Sequence, residues 1–242
     1  MGHLVSVFVV NNLIELYVKF DGFESVVKLF DEMPQRDITS WNIVILSILN
    51  ELMYNKAFDM FRSMQCNDGF RFDYFTVSTM LIACASTYTL LQGQEVHAHV
   101  IKIGLDTNLS VNNALIRFYT KCGTMKDVET LFERMPVRDV VTWTEMITAY
   151  MEFGMVDLAF ETFEKMLEKN FVSFNALLAG FCKNSEELKA LKLFIKMMEE
   201  GLELTDFSLT SIVNACSLLM DSKINKQEFS TLSSQALLKS NS

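Results

Sequence analysis

The chain has 242 residues, half of them apolar and 21% charged, with 21 Lys+Arg against 30 Asp+Glu and a formal charge of -9. This is globular composition rather than wholesale disorder; only 2 Pro and 9 Gly argue against a turn-rich all-β protein, and the acidic balance weighs against gripping nucleic acid by bulk charge. Five Cys at wide spacings make neither a disulfide framework nor a CxxC pair and fit a reducing compartment, the run Ile43 to Leu49 is far short of the ~20 residues a bilayer needs, and no targeting signal is visible at the N-terminus.

Taken in order, the chain repeats itself. Residues 1–6 read as the tail of a preceding unit, with Gly2 matching Gly104. Units follow at 7–37, 38–73, 74–108, 109–139, 140–170 and 171–205, then a partial unit at 206–227 and an irregular Ser-rich tail at 228–242. A constant shift of 102 relates Asn11 to Asn113, Tyr17 to Tyr119, Phe30 to Phe132, Pro34 to Pro136, Asp37 to Asp139 and Trp41 to Trp143. Inside it Phe-x-x-Met recurs as Phe30/Met33, Phe61/Met64, Phe132/Met135, Phe163/Met166 and Phe194/Met197, with one place skipped at His97/Val100. Such a period is the signature of a stacked-repeat architecture.

Each unit reads as a helix pair. In 109–139, Ala114, Leu115, Phe118 and Tyr119 share one face only at a 3.6-residue period. Gly123 then breaks the pattern and suits a left-handed helix cap. A second stripe runs through Val128, Leu131, Phe132 and Met135 until Pro136 closes it. One hairpin cannot bury its own stripe, so neighbours must stack, with Phe and Met as core and Trp41 and Trp143 as packing residues rather than a ligand cage. The chain begins and stops inside units, which predicts fraying and self-association through uncapped ends, as expected of a fragment or a truncated copy.

The words VVTWTEMITAY, FVSFNALLAGFCKN and SWNIVI, with the endings LFDEMPQRD and LFERMPVRD, resemble the pentatricopeptide repeat family rather than tetratricopeptide repeats. The mixture of lengths is similar to that family's plant subfamily of long, standard and short units: 74–108 resembles the long unit, and 7–37, 109–139 and 140–170 the short one. The resemblance covers about residues 1–227. It implies an all-α fold, a right-handed superhelical α-solenoid of helix-turn-helix repeats. It also implies single-stranded RNA as partner, one nucleotide per unit, in organellar RNA processing, stabilisation or editing. Chloroplast or mitochondrion is the implied location.

By the same resemblance, base edges are read by the fifth residue of each unit together with its last. The pairs are Asn11 with Asp37, Asn42 with Asp73, Ser78 with Asn108, Asn113 with Asp139, and Thr144 with Asn170; Asn175 takes Thr205 or Asp206. All have the short donor or acceptor groups that edge readout demands. The family's pairing rules give a preference near U-U-A-U-A-pyrimidine. The second positions, which wedge between bases, are Phe8, Thr39, Phe75, Ser110, Val141 and Val172. Lys19, Lys121 and Lys183 match a phosphate-contacting position at the end of the first helix, whereas Asn50, Ser86 and Glu152 do not. Each Lys equally suits a solvated helix end, and Asp37, Asp73 and Asp139 stand where N-caps would be, so dual use is expected there.

No enzyme chemistry is expected and no cofactor. His97 and His99 are two apart, which on a helix points them away from one another. No Gly-rich phosphate loop or G-x-S-x-G elbow occurs, and the His-x-Glu and Cys-x-x-Cys of a zinc deaminase are missing. Protein-interaction scaffolding of tetratricopeptide-like type, or a non-functional truncated copy, are the alternatives to RNA binding; other RNA-processing proteins are further candidate partners.

Overall fold

Helices in this chain begin where a short polar side chain can satisfy the free amides of a first turn. The computed structural model describes residues 7–20, 23–68 and 71–221, all of them helix or connecting segment, with no strand among the described residues. The chain divides into two compact units, Met1–Cys122 and Gly123–Ser242. The first contains α1 (Val7–Phe20), α2 (Phe23–Asp31), α3 (Ile38–Asn50), α4 (Tyr54–Asp68), α5 (Tyr74–Thr87), α6 (Leu90–Ile103) and α7 (Leu109–Cys122). The second contains α8 (Met125–Arg134), α9 (Val140–Glu152), α10 (Val156–Lys165), α11 (Phe171–Lys183), α12 (Glu187–Glu199) and α13 (Asp206–Asp221). The Ser-rich tail and the opening hexapeptide lie outside the described residues.

Odd-numbered helices pack on one another. In the first unit α1, α3, α5 and α7 stack in series, with α2 against α1 and α3, α4 against α3, and α6 against α5 and α7. In the second, α9, α11 and α13 stack in series, α8 lies on α9, α10 on α9 and α11, and α12 on α11 and α13. Within each unit a hairpin therefore covers its apolar stripe with the next one along, as quasi-one-dimensional folds require.

The Phe-x-x-Met register supplies that cover. Phe30, Phe61 and Phe163 are buried, as are Met33, Met64, Met135, Met166 and Met197. Burying a side chain of this size removes enough apolar surface from water to contribute about 1.5–3 kcal/mol. Eleven residues after the repeated Phe comes a second ring. Phe30 meets Trp41 edge-on at 4.8 Å, Phe132 meets Trp143 at 5.1 Å and Phe163 meets Phe174 at 4.9 Å, whereas Phe61 and Phe72 stack at 3.9 Å. Edge-on contacts set the positive rim of one ring against the negative face of the other. Arg36 and Arg138 then place their guanidinium groups 4.6 and 4.5 Å from the centres of Phe30 and Phe132 and donate to the Phe30 and Phe132 carbonyls. Lys169 does the same over Phe163, donating to the Met166 carbonyl. A cation at the C-terminal end of a second helix satisfies free carbonyls and opposes the dipole there.

The turns inside the hairpins use left-handed residues at Leu52, Tyr88, Gly154 and Ser185. Gly123, which the sequence pattern puts in this role, is not among the left-handed positions. The entry to α8 is fixed by side chains: Thr124 Oγ1 accepts the Asp127 amide, and Asp127 Oδ2 accepts the Thr124 amide at 2.9 Å. That reciprocal box replaces the backbone device.

Candidate nucleic-acid interface

The entrances to α3, α5 and α13 each gather three polar side chains from two successive repeats. The last residue of one repeat is the N-cap of the next: Asp37 caps α3, Asp73 caps α5, Asp139 caps α9 and Asn170 caps α11, each accepting the amide three residues on. That third residue carries a hydroxyl, and Ser40, Thr76, Thr142, Ser173 and Ser208 are all buried. The pattern is D/N/T-x-x-S/T, and the repeat at 109–139 departs from it: Asn108 still caps α7 through the Val111 amide, but valine carries no hydroxyl.

In three places the fifth residue of the preceding repeat reaches the same cap. The Asn11 amide donates to Asp37 Oδ1 at 3.1 Å, and the Asn42 amide donates to Asp73 Oδ2 at 3.2 Å. The Asn175 amide donates to Thr205 Oγ1 at 3.4 Å. Of the two partners left open for Asn175, Thr205 is in reach, whereas Asp206 is exposed as the first residue of α13. Ser78 and Asn108 both lie in the first unit; the Ser78 hydroxyl is buried without a partner and Asn108 is occupied as a cap. Thr144 turns its hydroxyl back to the Val140 carbonyl at 2.7 Å, while Asn170 accepts the Val172 and Ser173 amides. Asn113 is half-buried in the first unit and Asp139, a cap, stands in the second.

Buried polar atoms usually find partners, and the exceptions ask for an explanation. Four such atoms without a partner occur among the described residues: Asn11 Oδ1, Ser78 Oγ, Asn175 Oδ1 and His99 Nδ1. Three of the four belong to fifth-position residues. Beside them the second-position side chains face solvent: Phe8 is 73% exposed, Phe75 43%, Val141 51% and Val172 45%, and Thr39 and Ser110 are exposed as well. Apolar groups left in water at one register, next to unpaired polar groups, form a surface able to hold a flat, partly polar ligand.

Electrostatics at the Asp37 cap favour the ionised carboxylate. Partial burial of Asp37 works to raise its pKa, yet the Ser40 amide and hydroxyl, the Asn11 amide and the Thr39 backbone together hold it below the ordinary value of 3.8. A carboxyl lowered by folding contributes stability that is present above its unfolded value and is lost as pH falls through the folded one. Asp37→Asn keeps the cap but cannot titrate. The stability gap between wild type and this variant is therefore expected to shrink as pH is lowered from about 6 to about 3, read by urea titration at each pH. A gap that is constant over that range would remove Asp37 as a contributor.

Of the lysines assigned to phosphate, Lys183 forms an ion pair with Glu152, the residue one repeat earlier at the same position. Lys121 is exposed. The side chain of Lys19 lies outside the described residues. Elsewhere, burial pushes the Cys84 thiol up to about 12 and raises Cys122, Cys182 and Cys216 too, so none of these is a ready nucleophile. Among the described residues no three His, Cys, Asp or Glu are grouped to hold a metal ion, and no helix is long and apolar enough to cross a membrane.

The hydroxyls at Ser40, Thr76, Thr142, Ser173 and Ser208 were not singled out by the sequence reading. Their signal was the spacing of three from each repeat's last residue. Comparison with known proteins adds family evidence. A family model described as the PPR repeat matches residues 8–38, 39–68, 113–140 and 141–171, and one described as the PPR repeat family matches 169–217. Pentatricopeptide repeat-containing protein At5g03800 of Arabidopsis thaliana is 54% identical over 93% of this chain and 25% of its own length. The mitochondrial pentatricopeptide repeat-containing protein At3g09040 of the same plant is 29% identical over 98% of this chain and 24% of its own length. The chain thus spans about a quarter of the length of these curated relatives. A crystal structure of the pentatricopeptide repeat protein PPR10 in complex with an 18-nt psaJ RNA element superposes with TM-score 0.73 over 98% of this chain and 36% of that one, at 19% identity, which shows a common α-solenoid fold.

Proposed function

The chain belongs to the pentatricopeptide repeat family, and from that premise we propose that it binds single-stranded RNA sequence-selectively, one nucleotide per helix hairpin. The observation that carries the reading is the hydrogen-bonded pair of fifth and last residues, seen at Asn11/Asp37, Asn42/Asp73 and Asn175/Thr205. A fixed donor–acceptor pair flanked by exposed second-position side chains is what reading an unstacked base edge requires. Repeats bounded at 7–37, 38–73, 74–108, 109–139, 140–170 and 171–205, of the mixed long and short plant type, give the preferred order U-U-A-U-A-pyrimidine. PPR10 is described with an RNA element, and one relative is named mitochondrial and another chloroplastic. These names support a role in organellar RNA processing, stabilisation or editing.

One observation favours a weaker RNA grip or a protein partner instead: Lys183 is already neutralised by Glu152, in a chain of net charge -9. The test is binding of the purified chain to an RNA of the proposed order against a scrambled control, at low and physiological salt. Order-dependent binding that weakens with salt and weakens further on changing Asn42 and Asp73 together is the expected result. Equal or absent binding to both RNAs would overturn the proposal and leave the scaffold reading.

A further inference from the structure

Asn11, Asn42 and Asn175 are not held alike. At Asn11 and Asn175 the amide nitrogen is bonded to the cap while Oδ1 is buried without a partner. At Asn42 both ends are held: the amide nitrogen donates to Asp73, and Oδ1 lies 2.6 Å from the Thr76 hydroxyl. The same hydroxyl lies 2.7 Å from Asp73 Oδ1, so its single proton serves two acceptors on the two reader residues.

The hydroxyls of Ser40 and Ser173 are used differently. Ser40 accepts the Asp37 amide and donates to the Asp37 carboxylate, and Ser173 accepts the Asn170 amide and donates to its carbonyl. Those bonds stay within the cap. The Asp73 cap of α5 lacks the reciprocal bond from backbone to hydroxyl, and the Thr76 oxygen is turned toward the reader amide instead.

We propose that Thr76 is a specificity-determining positioning residue, whose hydroxyl clamps the Asn42 amide so that a nitrogen-bound hydrogen, not the oxygen, is offered to the base. This rests on the RNA-reading proposal above. The chemistry follows from the bases. Uracil carries an acceptor oxygen where cytosine carries an amino donor. An amide fixed with its nitrogen outward complements the first and is repelled by the second, and an amide free to swing discriminates less. Pre-organisation of this kind spares the ordering that binding would otherwise have to impose. Of Asn11, Asn42 and Asn175, Asn42 is therefore the most selective.

The experiment measures the ratio of affinities for RNAs carrying U or C at the second nucleotide, for the full chain and for Thr76→Val and Thr76→Ser. Valine keeps the branched shape without the hydroxyl and is expected to lower the ratio about three- to tenfold, the worth of one hydrogen bond. Serine keeps the hydroxyl and the ratio. Discrimination at the fourth nucleotide, facing the repeat at 109–139, stays as in the wild type. Without RNA, the valine change is expected to speed solvent exchange of the Asn42 side-chain amide, seen by NMR. An unchanged ratio with an unchanged amide signal overturns the proposal, as does a serine variant that behaves like valine. If the wild type shows no selectivity for any base, the RNA reading has failed, and the amide signal alone decides the clamp. Should valine unfold the chain, Thr76→Cys, a poor donor of similar bulk, is expected to give the same loss.

Discussion

Exchanging Asn42 for threonine and Asp73 for asparagine together is expected to change the base favoured opposite the second repeat from uracil to adenine. The structure already contains the product of that exchange, since Thr144 and Asn170 occupy the corresponding positions around α9 and α11. Asn170 Oδ1 takes two amides of the first turn of α11 at 3.1 Å, so asparagine at 73 can keep the cap that Asp73 provides through the Thr76 amide at 2.8 Å. Asparagine and aspartate are close to equal as N-caps. Threonine inside a first helix satisfies itself by donating to the carbonyl four residues back, as Thr144 does. The fold is therefore expected to survive with a change of under about 1 kcal/mol, within the few tenths to one that such surface polar swaps bring. The base preference carries the effect, because a well-placed pair discriminates by about 1–3 kcal/mol, roughly 5- to 150-fold. Competition between two RNAs differing only at the second nucleotide measures it. Asp73→Asn also removes a negative charge, which raises affinity for any RNA, so the ratio and not either affinity is decisive. Equal loss for both RNAs would show that the pair supports the helix and reads nothing.

What could be read from the sequence divides along a physical line. Period and burial follow from the residue types alone, because Phe-x-x-Met at fixed spacing has one way to be covered, and Phe30, Phe61 and Phe163 are buried as that pattern implies. Capping was legible for the same local reason, and Asp37, Asp73 and Asp139 cap the helices they precede. The share of the hydroxyls was not. Whether Ser40 bonds back to Asp37 or Thr76 forward to Asn42 depends on rotamers set by neighbours some thirty residues apart in sequence. Nor could spacing alone show that Lys183 is taken up by Glu152 across one repeat. The Gly123 turn failed because glycine permits a left-handed conformation without compelling one. Thr124 and Asp127 close that junction with side chains.

Gly93→Ala is expected to destabilise the first unit strongly. A Cβ at Gly93 on α6 would lie 2.1 Å from two ring carbons of Phe118 on α7 and 2.9 Å from a third. Phe118 is fully buried with the Tyr119 ring against it at 4.7 Å, so the ring has little room to turn away. Alanine gains about 1 kcal/mol over glycine from helix propensity, and overpacking typically costs about 1–3 kcal/mol and occasionally more. A clash this close with a rigid ring belongs at the upper end, leaving a net loss of about 2 kcal/mol. Gly180→Ala provides the contrast. Its nearest neighbours are Met151 Cγ, Sδ and Cβ, the last at 2.8 Å; the thioether end can repack, but the Cβ contact asks for a small shift of α9 against α11 and keeps a cost in the second unit. Gly104→Ala meets no atom within 4 Å but sits at φ 74, and it is expected to cost about 1 kcal/mol through the backbone alone. The two tryptophans allow each unit to be followed separately. Trp41 is buried in the first and Trp143 stands in the second, where phenylalanine is the resident ring one repeat later at Phe174. Urea unfolding followed by Trp41 fluorescence in a Trp143→Phe background isolates the first unit. There Gly93→Ala should lower the midpoint well below that of Gly104→Ala. A midpoint at or above wild type would mean that α6 and α7 can separate at no cost. In that case the placement of Asn113 on α7 would not be fixed by packing, and the fourth repeat would have no rigid base from which to read.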